Sequence, residues 1–494
     1  MVLKKIIKAR KSYIWIPIIL FVKLIVLYFF FSQIQNHSPD KLNGIVFISN
    51  DFSELVEPSN QLIKNGIYSL DDQSPPYAGR IPGYAFPYLL FRLLFSENIS
   101  LQLLILTQII FSSIAVFLLG LISEKISKKS LSFFISIIVF SFFPFFIKED
   151  LYTMSTSFSI SAFIVHLFFL EKFFNNESKK TLLISGLFLT WVVLLRPFTL
   201  LYIFPIIVYL TYKNRRKLNN IFKYNFIFLL PFIIFECFWI PRNYINTKKI
   251  IPLQDAYVPG QKFGYSSGCD IDCIAKFSVI EIRKLISSWG GNSIWYKPGS
   301  EMHWFLSYKP LDFKNHLFVK NNIFFEGFNK DSLINLKKDL QLSYNGELNY
   351  DERVKIDLEI VQKCKKFRAI YMKNKPLNYF FISHLNRIKN FLFVNPTQDW
   401  PGASFTENSI FYKLYKSISI LIYLLTLFSI PIYGIILLKK KNIYGLICLS
   451  YACVLIFIFG FLVELSSVLY FSTGLICGWI CLVLIFKNIL FKTK

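Results

Sequence analysis

Two charges early in the chain have the types and spacing for group transfer. Asp51, in Asn50-Asp51-Phe52-Ser53-Glu54, closely follows a long apolar run. Arg80, in Tyr77-Ala78-Gly79-Arg80-Ile81-Pro82-Gly83-Tyr84, just precedes the next one. Both charges therefore belong to one surface of whatever the apolar runs build. A carboxylate there can take a proton from an acceptor hydroxyl, and a guanidinium can neutralise a departing phosphate. That chemistry suits a lipid-phosphate donor. Solvated loop charges are the bland alternative, and charge alone leaves both open. Glu54, one turn beyond Asp51, is given no role.

The elements that must position this pair follow from composition. Of 494 residues, 54% are apolar, only 17% are charged, and 55 are phenylalanine; mean hydropathy is +0.46. Too little polar side chain exists to coat a soluble body of this size, which excludes a cytosolic enzyme, a secreted domain and a disordered chain. The net charge of +25 sits in short tracts between apolar runs and not along one face, so nucleic acid is not the partner. Membrane lipid is.

Runs long enough to span a bilayer, about 17–25 residues each, fall near 13–31, 99–122, 131–147, 151–170, 226–240, 414–438, 443–463 and 467–486. Basic tracts at Lys4–Lys11, Lys125–Lys129, Lys213–Lys217, Lys439–Lys441 and Lys487–Lys494 mark one side, whereas 32–98 carries seven acids against four bases. The positive-inside rule then puts both termini in the cytoplasm and 32–98 and 241–410 outside. The interval 181–212 has basic flanks on both sides yet only 32 residues, too few for two full crossings. With Arg196-Pro197 at its midpoint, it reads as two short helices meeting at an outward tip. The expected architecture is an all-α polytopic membrane bundle of about ten spans. Its parts are a transmembrane module over 1–240 with the external loop 32–98, an external mixed domain over 241–410 ending in an interfacial helix near 376–393, and C-terminal transmembrane helices over 411–494.

Several residues stay ambiguous at this level. Cys269-Asp-Ile-Asp-Cys273 leaves a disulfide, free thiols and a metal site open. Lys23, midway along the first run, must pair or face the interior, as an ion-pair partner or a phosphate ligand. Glu236 is expected to pair with Arg242 or Arg196, and His166 to be a hydrogen-bonded core histidine. No internal repeat, Gly-rich phosphate loop, nucleotide fingerprint or nucleophile elbow is present.

The spacing around Asp51 adds a resemblance. Asp51, Ser59, Leu62 and Gly66 followed by Arg80-Ile81-Pro82-Gly83-Tyr84 resemble the first external loop of GT-C glycosyltransferases, the polyprenyl-phosphate-sugar-dependent group that includes protein O-mannosyltransferases and the lipid A aminoarabinose transferase. Leu55 departs from the tyrosine usual four residues after the aspartate. Arg196-Pro197, Trp239-Ile240-Pro241-Arg242-Asn243-Tyr244 with Ile251-Pro252, and Pro376-Leu377-Asn378-Tyr379 are similar to later family signatures. Met154 stands where the family usually has a glutamate, so Glu149 or Asp150 becomes the substitute carboxylate.

The resemblance implies a GT-C fold in the inner (plasma) membrane and inverting sugar transfer from a polyprenyl-phosphate donor to a lipid, glycan or protein acceptor at the outer face. It casts Asp51 as general base and Arg80, Tyr84, Arg196, Arg242, Glu149 and Asp150 as substrate contacts. A divalent metal ion held by Asp51 and Asp150 is the one cofactor it suggests. A polysaccharide polymerase or ligase, or a flippase acting on lipid-linked glycans, is the alternative; the aspartate just after the first span and the absence of a repeat count against it.

Overall fold

The computed structural model describes residues 13–37, 42–49, 52–70, 76, 78–254, 276–291, 300–306, 323–343, 348, 350–393, 410–437, 442–462 and 468–490. Asp51, Tyr77, Trp295 and the Cys269/Cys273 pair lie outside them. The chain divides into two compact units, Met1–Gln261 with Asn395–Val454 and Ser472–Lys494, and Lys262–Val394 with Leu455–Phe471.

The first unit opens with α1 (Trp15–His37), a small hairpin of β1 (Leu42–Asn43) and β2 (Val46–Phe47), and α2 (Phe52–Asn65). After α3 (Ala85–Arg92) come the long α4 (Glu97–Ser127) and the shorter α5 (Ser130–Phe142). Then follow α6 (Thr156–Asn176), α7 (Lys179–Leu195), α8 (Ile203–Lys213) and α9 (Leu218–Thr247). The core beneath the loop elements gathers Leu27, Phe30, Val56, Tyr88, Leu104 and Phe158 from five helices. Loop helices α2 and α3 are thus packed onto the membrane helices by the same apolar burial that holds those helices together.

Several boundaries differ from expectation, three of them in ways that shape the loops. The run expected over 131–147 breaks after Phe142, because Pro144 lacks an amide donor to continue the ladder; a helical turn Pro144–Ile147 and a tighter turn Lys148–Asp150 follow. The next helix begins at Thr156, not 151. The preceding backbone is diverted into pairing with β2: Phe47 N donates to Leu151 O (3.0 Å) and Thr153 N to Phe47 O (3.1 Å). Conversely, α9 does not stop before Pro241 but carries Pro231 and Pro241 inside it, as apolar membrane helices tolerate. The expected hairpin is observed: α7 ends at Leu195, Arg196 leaves helical geometry, and a tight helical stretch Pro197–Tyr202 leads into α8.

In the second unit, α10 (Lys276–Ser288), α11 (Glu301–Leu306), α12 (Lys330–Ser343), α13 (Tyr350–Asn374) and α14 (Ser383–Leu392) enclose a core that includes Trp289, Trp304, Phe305, Leu336 and Cys364. Its described residues are mainly helical, with an isolated antiparallel bridge between Phe325 and Phe328. Around α14, Leu377, Phe381 and Leu385 are exposed while Ser383 and Arg387 are buried. That inverted amphipathicity is what a helix against lipid requires.

The C-terminal helices are α15 (Ile410–Leu437), α16 (Ile443–Phe457) and α17 (Ser472–Leu490). Six described helices, α1, α4, α6, α9, α15 and α16 with its continuation Ile458–Leu462, are long and apolar enough to cross a membrane. The protein is a multi-pass membrane protein. His166 on α6 is the expected core histidine, with Nδ1 and Nε2 each 2.9 Å from Ser185 O and Tyr451 Oη.

Candidate active site

Arg80 owes its position to the residues after it. Gly83 packs against the last turn of α7 so closely that a Cβ would collide with the carbonyl of Leu194. Trp191 Nε1 donates to Gly83 O at 3.0 Å. Only glycine permits that approach, which gives the Pro-Gly-Tyr sequence a structural reason. Ile81 adds an apolar contact with Val193 and Leu253. Arg80 and Arg196 therefore stand on adjoining segments of chain.

The end of α9 supplies the other wall. Past Lys248, in the left-handed conformation (φ 57°), the chain runs back along the helix it has just left. Asn243 Nδ2 donates to Ile251 O (2.9 Å), Trp239 Nε1 to Leu253 O, and Leu253 N to Glu236 Oε1 (3.3 Å). Positions 236, 239 and 243 share one helical face, so the Trp-x-x-x-Asn spacing is a zipper for the return segment. Glu236 serves this zipper through the Leu253 amide and is not the arginine partner expected. The return segment then meets the Arg80 loop, with Ile251 against Ala78 and Leu253 against Ile81.

Within this frame, Arg242 packs on a residue that sequence reasoning missed. Arg242 Nη2 donates to Tyr68 O at 3.1 Å, and its guanidinium lies 5.4 Å from the Tyr68 ring centroid and 4.8 Å from that of Trp239. Burial pushes the Tyr68 hydroxyl well above the usual phenol range, against the opposing pull of the Arg242 and then the Arg80 charge. Arg80 itself is held from Nε by Glu54 Oε2 at 2.8 Å, and the arginine side chain remains 33% exposed, within reach of a ligand. Glu54, given no role from sequence, is thus tied directly to the arginine. Its place on the first turn of α2 beside Asp51 was the only sequence signal available. Nothing in the sequence pointed to Tyr68, whose placement depends on the fold.

The second loop, residues 143–155 between α5 and α6, is organised around Lys23. Its Nζ lies 2.6 Å from Asp150 Oδ2, and both side chains are almost wholly buried, at 2% and 1%. Ser112 Oγ also donates to Oδ2 (2.7 Å) and Ser157 Oγ to Oδ1 (2.5 Å). A cavity of about 20 Å³ beside this cluster has room for roughly one water molecule. Of the two roles open to Lys23, the ion pair is the one observed. Glu149, also buried, has Oε1 3.7 Å from Lys148 Nζ. With both Asp150 oxygens engaged and its side chain closed to solvent, this carboxylate does not fit a divalent-cation site. Among the described residues no group of three His, Cys, Asp or Glu is placed to hold a metal ion.

Arg196 Nη2 donates to Thr156 Oγ1 at the start of α6, next to Ser157 and hence to the Asp150 cluster. Ser49 N donates to Thr153 Oγ1 (2.9 Å) and Ser49 Oγ to Thr153 O (2.8 Å), so the segment leading to Asp51 is joined to the second loop. Tyr84, expected among the substrate contacts, is instead 1% exposed and packs edge-on to Phe158 at 6.0 Å. Apolar burial of its ring withdraws it from any ligand. The structure therefore pairs Arg242 with Tyr68 and Arg80 with Glu54, sets Arg196 on a segment adjoining Arg80, and turns Asp150, Glu149 and Tyr84 inward.

Residues 80–240 match the dolichyl-phosphate-mannose-protein mannosyltransferase family. That stretch begins at Arg80 and takes in Tyr84, Glu149, Asp150 and Arg196, while Asp51 and Arg242 flank it. No curated protein matches the sequence. Among solved structures, the archaeal oligosaccharyltransferase AglB from Archaeoglobus fulgidus, in complex with an inhibitory peptide and a dolichol-phosphate, is similar at TM-score 0.42 and 10% identity, over 97% of this chain and 51% of that one. ArnT from Cupriavidus metallidurans, bound to undecaprenyl phosphate, is similar at TM-score 0.30 and 11% identity, over 97% and 78%. The chain spans about half the length of the oligosaccharyltransferase.

Proposed function

We propose that this protein is a membrane glycosyltransferase of GT-C type that moves a sugar from a polyprenyl-phosphate donor to a lipid, glycan or protein acceptor at the outer face of the membrane, with inversion at the anomeric carbon. The observation that carries this reading is that the return segment, bonded to Asn243 beside Arg242, packs on Ala78 and Ile81 on either side of Arg80, at the edge of a segment matching the dolichyl-phosphate-mannose-protein mannosyltransferase family. Two guanidiniums on segments clasped by one return strand suit a phosphate leaving group, whose growing charge they stabilise.

Asp51 acts as general base on the acceptor hydroxyl, Arg80 and Arg242 hold the donor phosphate, and Arg196 contacts the substrate from the tip of the α7–α8 hairpin. The reaction breaks the bond between the anomeric carbon and the phosphate oxygen and forms one to the acceptor oxygen. The acceptor proton passes to Asp51, and the lipid phosphate leaves. Asp51→Asn keeps size but cannot accept that proton, so transfer in membranes supplied with lipid donor should fall about 10²–10⁴-fold at unchanged protein level. Wild-type turnover in that variant would remove Asp51 as the base.

A further inference from the structure

We infer that Glu54 governs release of the lipid phosphate product. This inference rests on the proposed donor clamp and assigns a task to a carboxylate that the clamp does not need for binding. Glu54 Oε2 accepts from Arg80 Nε at 2.8 Å, with Arg80 33% and Glu54 17% exposed. The pair lies at the surface of the loop assembly, unlike the sealed Lys23–Asp150 pair, so a ligand phosphate meets Arg80 with Glu54 already beside it.

Charge arithmetic gives that carboxylate a direction. A polyprenyl-phosphate sugar is a phosphodiester with one negative charge. Transfer releases a phosphate monoester, whose second ionisation lies near pH 6, so at neutral pH the product carries close to two. Arg80 and Arg242 attract the product more strongly than the donor, which by itself would leave the enzyme blocked by its own product. A fixed carboxylate at the clamp repels each ligand in proportion to its charge, and so weakens the product more than the donor. Glu54 holds Arg80 and acts on the lipid only through the charge it adds to the clamp; it is a positioning residue, not a catalytic one.

The test measures direct binding of two lipids to the full-length protein in detergent: a short polyprenyl phosphate as product, and its methyl phosphodiester as a singly charged donor mimic. Glu54→Gln keeps the side-chain shape and an acceptor for Arg80. It should tighten the monoester by about two- to fivefold more than the diester at pH 7.5, the range expected of a partly exposed ion pair. At pH 5, where both lipids carry about one charge, that difference should vanish. Equal changes for the two lipids, or weaker monoester binding, would overturn the inference. Arg80→Ala separates it from the clamp itself: weaker binding of both lipids is expected. If Arg80→Ala alters neither, the clamp fails and the inference with it; if Arg80→Ala weakens both but Glu54→Gln shows no monoester preference, the inference alone fails.

Discussion

Lys23 and Asp150, 127 residues apart, form a buried ion pair at 2.6 Å in which the carboxylate also accepts from Ser112 and Ser157. It ties α1 to the loop before α6, the same loop whose Leu151 and Thr153 pair with the strand leading to Asp51. A charge pair placed there links the first helix to the second loop by a contact that cannot slide.

Removing one partner strands the other charge in an apolar surrounding, which typically costs about 3–5 kcal/mol, whereas replacing both by apolar residues can be close to neutral. Lys23→Met and Asp150→Leu singly should each lower thermal stability in detergent strongly, and the double variant should recover most of the loss. Additive losses would show that the two side chains are not coupled.

Gly83→Ala tests the docking of the Arg80 loop on α7. Its Cβ would meet the Leu194 carbonyl, and backbone cannot yield as a flexible side chain does. Overpacking of this kind costs about 1–3 kcal/mol. Insertion into membranes should persist while sugar transfer drops by an order of magnitude or more. Full activity in Gly83→Ala would mean that the loop's position does not control the clamp.

Burial pushes the Tyr68 hydroxyl well above the usual phenol range, against the pull of both arginines, so Tyr68 is expected to stay a neutral phenol near neutral pH. It therefore contributes no limb to the pH profile. Tyr68→Phe should leave the shape of the transfer-versus-pH curve unchanged while altering affinity for the lipid donor. Loss of a basic limb in the variant would make Tyr68 a titrating participant.

The expected topology has a direct check. A reporter fused after Lys217 should be cytoplasmic, and one fused after Lys338 external. The opposite result at either point contradicts the alternation drawn from the basic tracts.

The membrane class, the main apolar helices and the α7–α8 hairpin were legible from composition and pattern. Apolar run length and basic flanks are local properties, and a proline after an arginine interrupts a helix wherever it occurs. Arg80, Arg196 and Arg242 were legible as candidates, Arg80 and Arg196 because they lie at breaks between apolar runs and Arg242 because of the motif around it.

What only the tertiary structure decided was which charges are open to a ligand. Asp150, Glu149, Arg80 and Glu54 are equally ionisable in the sequence. The fold sealed Asp150 against Lys23 and turned Glu149 inward beside Lys148, yet left Arg80 at the surface on Glu54. It also gave Trp239 and Asn243, legible only as parts of a motif, and Glu236, expected to pair with an arginine, a shared task as a zipper for the return segment. Pairing across 26 or 127 residues depends on how the helices pack, because a buried charge must find its partner among whatever side chains that packing brings near. No local pattern carries that information.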